Sequence, residues 1–256
     1  MKAMIFAAGL GTRLKPITDT LPKALVPVCG KPLIEHVVRR LKSAGIDEAV
    51  VNVHHFADKV EAWVAEQDIM PMDISDERQM LLETGGAVLH AREYLEGCGH
   101  FLIHNVDILS DVDLGWFMGQ VRPEALATLL VSKRKSSRYL LFDPETMRLV
   151  GWTNVSTSQV KSPYPDIDPH KCLKLAFSGI HIMSEKVFEV MDGYVLEKGL
   201  KTDDSAPSFP IMDFYLSVCD THGIYGVVAE DLHLVDVGKL DTLELAEREI
   251  SRLQSE

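Results

Sequence analysis

Apolar and polar residues alternate between two periods along the first half of the chain. A short apolar run over residues 2–8, stopped by Gly9, predicts a buried strand. Residues 9–27 are rich in Gly, Pro and Thr and read as a loop. A helix is expected over residues 31–44, with Leu33, Val37, Leu41 and Ala44 on one face, Pro32 in its first turn and Gly45 as its C-terminal cap. A strand over 48–53, a helix over 57–66, a short strand over 72–75, a helix over 85–95 and a strand over 100–105 follow. Strands alternating with helices predict an α/β fold with a mostly parallel sheet flanked by helices. Ligands of such sheets bind beyond the carboxyl ends of the strands, which is where Gly9 and Asp107 fall.

The second half is less regular. Residues 125–133, 139–142, 173–183 and 233–237 read as strands, with Gly179 marking a bulge or a close backbone approach, and residues 209–219 and 240–253 read as helices. Residues 156–171, with three prolines and little periodicity, read as an exposed loop or flap. There is no internal repeat and no strong linker, so one domain is expected, divided into two halves, 1–110 and 111–256.

Composition narrows the chemistry. The 256 residues include 46% hydrophobic and 25% charged residues, as a globular chain with a sizeable core requires. No stretch has the length and apolarity of a membrane span, and the N-terminal run leads straight into glycines and charges, unlike a signal peptide. Cys29, Cys98, Cys172 and Cys219 are scattered, which argues against a disulfide framework or zinc site and for a cytoplasmic protein. The formal charge of −12 makes a poor general nucleic-acid binder. Against that background, residues 9–31 hold Arg13, Lys15, Lys23 and Lys31 and one acid, Asp19. A basic loop in an acidic chain suits a small polyanion such as a triphosphate, or else balances nearby acids.

The loop opens as Ala7-Ala8-Gly9-Leu10-Gly11-Thr12-Arg13-Leu14. Glycines after a strand let backbone N–H groups approach phosphate oxygens. A dinucleotide-binding turn is disfavoured, because Leu14 replaces the third glycine and the second strand ends in His54 and His55 rather than an acid. No Walker-type loop occurs. The motif continues as Leu21-Pro22-Lys23-Ala24-Leu25-Val26-Pro27-Val28 and Gly30-Lys31-Pro32-Leu33-Ile34. Together these segments closely resemble the N-termini of sugar-1-phosphate nucleotidyltransferases. Further on, Leu82-Glu83-Thr84-Gly85-Gly86-Ala87 is similar to the L-E-T-G-G segment of a subgroup that includes N-acetylmuramate 1-phosphate uridylyltransferases. Asn105-Val106-Asp107, Phe177-Ser178-Gly179-Ile180 and Val235-Asp236-Val237-Gly238 match later family segments in the family's order.

The resemblance implies a Rossmann-like mixed sheet and an enzyme that joins a nucleoside triphosphate to a sugar 1-phosphate with release of pyrophosphate. It implies Arg13, Lys23 and Asp107 as catalytic residues. Ala8, Gly9, Gly11, Thr12, Arg13, Lys23, Glu83 and Gly86 are expected at the nucleotide, Asn105, Ser178 and Gly179 at the sugar, and Asp107 and Asp236 on Mg2+. Taken alone, Lys15 and Lys31 read as solvated loop lysines. The expected partners are the two small substrates, with no nucleic acid or membrane. UTP with N-acetylmuramate 1-phosphate is the first expectation, and GTP with mannose or heptose 1-phosphate the second. A binding protein that keeps the fold without catalysis is a third reading, disfavoured by the presence of Arg13, Lys23, Asp107 and Asp236 together. Two departures stand out: Val106 replaces a glycine before the aspartate, and the E-K-P motif of many relatives is absent, leaving Lys161 or Lys174 as substitutes for its lysine.

Overall fold

A computed structural model describes residues 1–200 and 206–253. The chain opens with β1 (Lys2–Phe6), and three 3-10 turns at Thr12–Leu14, Ile17–Asp19 and Lys23–Leu25 shape the expected loop. A small hairpin, β2 (Pro27–Val28) and β3 (Lys31–Pro32), leads into α1 (Leu33–Ser43). The alternating region continues as β4 (Ala49–Val53), α2 (Ala57–Glu66), β5 (Met72–Asp76), α3 (Glu83–His90), α4 (Arg92–Leu95) and β6 (His100–Asn105). Beyond it come β7 (Ile108–Ser110), α5 (Leu114–Met118), β8 (Ala127–Ser132), β9 (Arg138–Phe142), β10 (Leu149–Asn154) and β11 (Gln159–Lys161). The remainder is β12 (Leu173–Ser184), α6 (Val187–Lys198), α7 (Ile211–Val218), β13 (Ile224–Val228), β14 (Leu234–Asp236) and α8 (Leu240–Leu253).

The first half forms the parallel sheet that its periodicity predicts. β1 lies between β4 and β6, and β5 extends the sheet past β4, all parallel. Along β1 the side chains alternate between two buried faces: Ala3 and Ile5 join one core cluster and Met4 the other. Burial on both faces is why this strand reads as a continuous apolar run. α1 lays Leu33, Val37 and Leu41 into the core as expected. It starts two residues later than the sequence suggests, because Lys31 and Pro32 pair with Pro27 and Val28. The expected helix over 85–95 is two, broken at Ala91.

The second half adds antiparallel strands to the same sheet. β12 pairs antiparallel with β6 through residues 180–184, and through residues 173–175 with β9. Its register shifts between Phe177 and His181, and Gly179 there has φ +73°, so the expected irregularity at this glycine is present. The segment read as a loop over 156–171 contains β11, which pairs with β10. α5, α6, β7, β10 and β13 are unassigned in the sequence reading. α6 buries Val187, Phe188, Met191, Tyr194 and Val195 at helical spacing, but Gly193 and the flanking apolar residues blur the pattern. No described helix is long and apolar enough to cross a membrane.

His181 is buried on β12 among Phe177, Phe6 and Tyr215, and neither ring nitrogen has a hydrogen-bond partner among the described residues. Burial lowers its pKa to about 3. The unfolded chain takes up this proton below roughly pH 6.5, while the folded chain resists until much lower pH. Stability due to this residue is therefore full above that pH and is lost as the pH falls towards the folded value. In urea titrations, His181→Phe should flatten the loss of stability between about pH 6 and pH 4, where the histidine's slope approaches ~1.4 kcal/mol per pH unit.

Candidate functional site

The glycine loop and the C-terminal ends of the parallel strands enclose a cleft of about 520 Å³. Ala8, Gly9, Gly11, Thr12, Arg13 and Lys23 line it from the loop, and Glu83, Asn105 and Asp107 face it from the other walls. Gly11 has φ +62°, and a Cβ there would lie 2.9 Å from Thr18 Cγ2, so only glycine fits. Thr18 Oγ1 donates to Gly11 O at 2.8 Å and holds the turn. A Cβ on Gly9 would meet nothing within 4 Å, which leaves open space over the loop. The N–H groups of Ala7 and Ala8 are already taken: both donate to Asn52 Oδ1, at 2.7 and 3.3 Å.

Lys23 is buried and its ammonium pairs closely with Asp107 Oδ2. Asp107 and Asp236 meet through an antiparallel ladder, β7 with β14, rather than through neighbouring ends of the parallel sheet. Val237 N donates to Asp107 O at 2.8 Å and closes that ladder. Although Asp236 is open to solvent, the surrounding protein desolvates its carboxyl. That desolvation, and then the Asp107 carboxylate, raise its pKa; Lys23, Arg13 and Arg134 oppose the rise. A Cβ on Gly238 would lie 2.8 Å from Asp236 Oδ1 and 3.0 Å from Arg13 Nη2, so this glycine gives the guanidinium room beside the carboxylate.

Asp236 also borders a second hollow of about 540 Å³, lined by Arg134, Arg138, Tyr139, Trp152 and Lys161. Arg134 Nη2 donates to Phe177 O at 2.8 Å, and Lys161 Nζ lies 3.3 Å from Asp213 Oδ1. Asn105, Ser178 and Gly179 do not line this hollow, but Lys161, one of the two lysines considered in place of the E-K-P lysine, does. The hollow's signal in the sequence is the basic run at Lys133, Arg134, Lys135 and Arg138.

Three expected residues, Gly86, Ser178 and Gly179, do not line the cleft. Gly86 is buried, and its N–H, like that of Gly85, donates to Phe209 O. Its missing Cβ would lie 2.3 Å from Pro207 O, so close packing of α3 accounts for this glycine. Ser178 is fully buried. Gly179 abuts Asn105, whose Nδ2 would be 3.0 Å from an added Cβ. Sequence reasoning missed Asn52 and Glu77, two buried polar residues at the cleft wall.

A family model described as Nucleotidyl transferase matches residues 2–140. The chain belongs to the nucleotidyl transferase family. It is 50% identical over 109 residues to the N-acetylmuramate alpha-1-phosphate uridylyltransferase of Caulobacter vibrioides, covering 41% of this chain and 45% of that one. It is 43% identical over 115 residues to the enzyme of the same name from Neisseria meningitidis, covering 44% and 49%. The matches thus span less than half the length of these relatives. The fold is shared with HddC from Yersinia pseudotuberculosis, at TM-score 0.74 and 20% identity over 97% of this chain and 99% of that one. In this nucleotidyl transferase the matched residues 2–140 hold the glycine loop, Lys23 and Asp107, whereas Asp236 and most of the second hollow lie beyond them.

The two glycine types should separate experimentally. Gly86→Ala should cost roughly 1–3 kcal/mol of unfolding free energy by overpacking. Gly9→Ala should leave stability within about 0.5 kcal/mol. Chemical denaturation of both variants checks this; equal losses would contradict the packing account.

Proposed function

We propose that this protein transfers the uridylyl group of UTP to N-acetylmuramate 1-phosphate in the cytoplasm, releasing pyrophosphate. The observation that carries the reading is the convergence of Arg13, Lys23, Asp107 and Asp236 where the cleft meets the second hollow. The named activity of the Caulobacter and Neisseria relatives supports the substrate pair. In this reading, residues 1–110 hold the nucleotide and residues 111–256 the sugar phosphate, as two halves of one domain.

The reaction forms one P–O bond and breaks another at the α-phosphorus. An oxygen of the sugar phosphate attacks, and pyrophosphate leaves from the opposite side. The chain's contribution is alignment and charge neutralisation. Arg13 grips the outer phosphates as a planar fork, with charge-assisted contacts worth about 1.5–3 kcal/mol each. Lys23, held at the base of the loop by Asp107, offsets charge growing at the α-phosphate. N–H groups from Gly9 onward remain for phosphate oxygens, since those of Ala7 and Ala8 are used by Asn52. Glu83, exposed at the start of α3, borders the nucleoside end. Asn105, next to Gly179, borders the acceptor end.

Two adjacent carboxylates that repel each other, with open space beside them, fit Mg2+, which takes one or two carboxylates and completes its shell with phosphate oxygens and water. Asp107 and Asp236 would hold it, and when bound it supplies charge screening between the two phosphates. The second hollow supports an acidic sugar. Lys161 is paired with Asp213, whereas the exposed Arg138 guanidinium has no hydrogen-bond or ion-pair partner among the described residues, which suits the carboxylate of a muramic acid.

Pyrophosphate release, measured with UTP and a panel of sugar 1-phosphates, tests the reading. Arg13→Ala should lower kcat/KM on the order of 100-fold with the fold intact. Asp107→Asn and Asp236→Asn should each abolish most turnover and raise the magnesium needed. Arg138→Ala should raise KM for N-acetylmuramate 1-phosphate roughly 10-fold while sparing KM for UTP. Turnover with GTP and mannose 1-phosphate alone would replace the substrate assignment, and no turnover with any pair would leave a binding protein.

A further inference from the structure

We propose that Asn52 and Glu77 are positioning residues that lock the phosphate loop and the base-facing segment into one nucleotide site. The inference rests on the nucleotide-binding role of the cleft. Asn52 lies near the end of β4 and Glu77 directly after β5, and they are 4% and 3% exposed. Both border the cleft. Asn52 Oδ1 accepts from Ala7 N and Ala8 N, the first residues after β1. Asn52 Nδ2 donates to Glu77 Oε1 at 2.8 Å. Glu77 Oε2 accepts from Leu82 N at 3.2 Å, one residue before α3 and its Glu83-Thr84-Gly85-Gly86 start. A single buried chain of hydrogen bonds thus runs from the glycine loop, across two strand ends, to the opposite wall of the cleft.

The donor and acceptor pattern is not interchangeable. An ionised carboxylate only accepts, so Asn52 must turn its amide nitrogen to Glu77 and its oxygen to the loop. That orientation draws the Ala7 and Ala8 N–H groups inward and fixes where the following glycines enter the cleft. Both hydrogen bonds to the Glu77 carboxylate come from neutral amides, and burial raises its pKa against their opposing effect. A neutral glutamine would fill the same space with less desolvation cost. It would also place an N–H group against either the Asn52 amide or Leu82 N, two donors facing each other. The costlier carboxylate is therefore what makes the link directional. Because a triphosphate spans both walls, a shift of one wall relative to the other costs alignment.

The pattern also provides a test by exchange. In Glu77→Gln one donor meets another, and in Asn52→Asp two carboxylates face each other. In the double variant Asn52→Asp, Glu77→Gln the complementarity returns: the new carboxylate accepts from Ala7, Ala8 and the new amide, whose carbonyl accepts from Leu82 N. Each single variant should weaken UTP binding, measured by calorimetry without sugar phosphate, by roughly 10-fold, while KM for the sugar phosphate moves less than about 2-fold. The double variant should recover most of the affinity. A singly substituted protein that melts early but binds UTP as wild type does would reduce the pair to a core contact. Equal losses for both substrates, or a double variant no better than the worse single one, would also overturn the proposal. If neither single variant folds, the double variant alone decides: wild-type UTP affinity supports the link and a loss of about 10-fold or more overturns it. Wild-type protein that binds UTP but releases no pyrophosphate would overturn the proposed reaction and leave the link standing; protein that binds no nucleoside triphosphate would overturn both.

Discussion

Asp107 and Asp236 repel each other, and the β7–β14 ladder leaves neither backbone free to withdraw. Much of the surrounding site answers that constraint. Lys23 is buried against Asp107, and Arg13 and Arg134 bring positive charge to Asp236 from opposite sides of the junction. Gly238 removes the one Cβ that would crowd Arg13 beside the carboxylate. The basic loop of an otherwise acidic chain is thus partly counter-charge for its own aspartates. The two roles first considered for that loop, balancing acids and holding a polyanion, are compatible. Cations assembled around a carboxylate pair are in place for phosphates that share the same space.

The parallel half was legible because β1, β4 and β6 are buried on both faces and α1 carries a clean apolar stripe. The joining of Asp107 to Asp236 was not legible in its mechanism. β7, at three residues, is too short for periodicity to register, and β14, though expected as a strand, pairs with it across more than a hundred residues. The glycines at 85 and 86 show the same limit. Their position at a helix start points locally to a ligand, but the atoms that exclude a side chain belong to Phe209 and Pro207. Asn52 did leave a signal. A polar residue inside the apolar run Ala49–Val53 of a central parallel strand needs a buried partner, and it has three. The resemblance drew attention to motifs, and Asn52 and Glu77 sit outside them.

β12 joins the two kinds of sheet, and its register against the antiparallel β8 shifts around Gly179, between the residues held by β6 and those held by β9. Below it, residues 180–184 are held by β6, whose far end carries Asn105 at the wall of the cleft. Above it, residues 173–175 are held by β9, which with β10 and β11 walls the second hollow through Arg138, Trp152 and Lys161. Register in a sheet normally propagates, because a slip of one residue sends every side chain to the opposite face. A bulge absorbs such a change locally. Substitutions or length changes in the β9–β11 meander can therefore reshape the second hollow without shifting β6 or the strands that carry the glycine loop. Beside the cleft the two halves meet at the β7–β14 ladder and at the contact of Gly179 with Asn105.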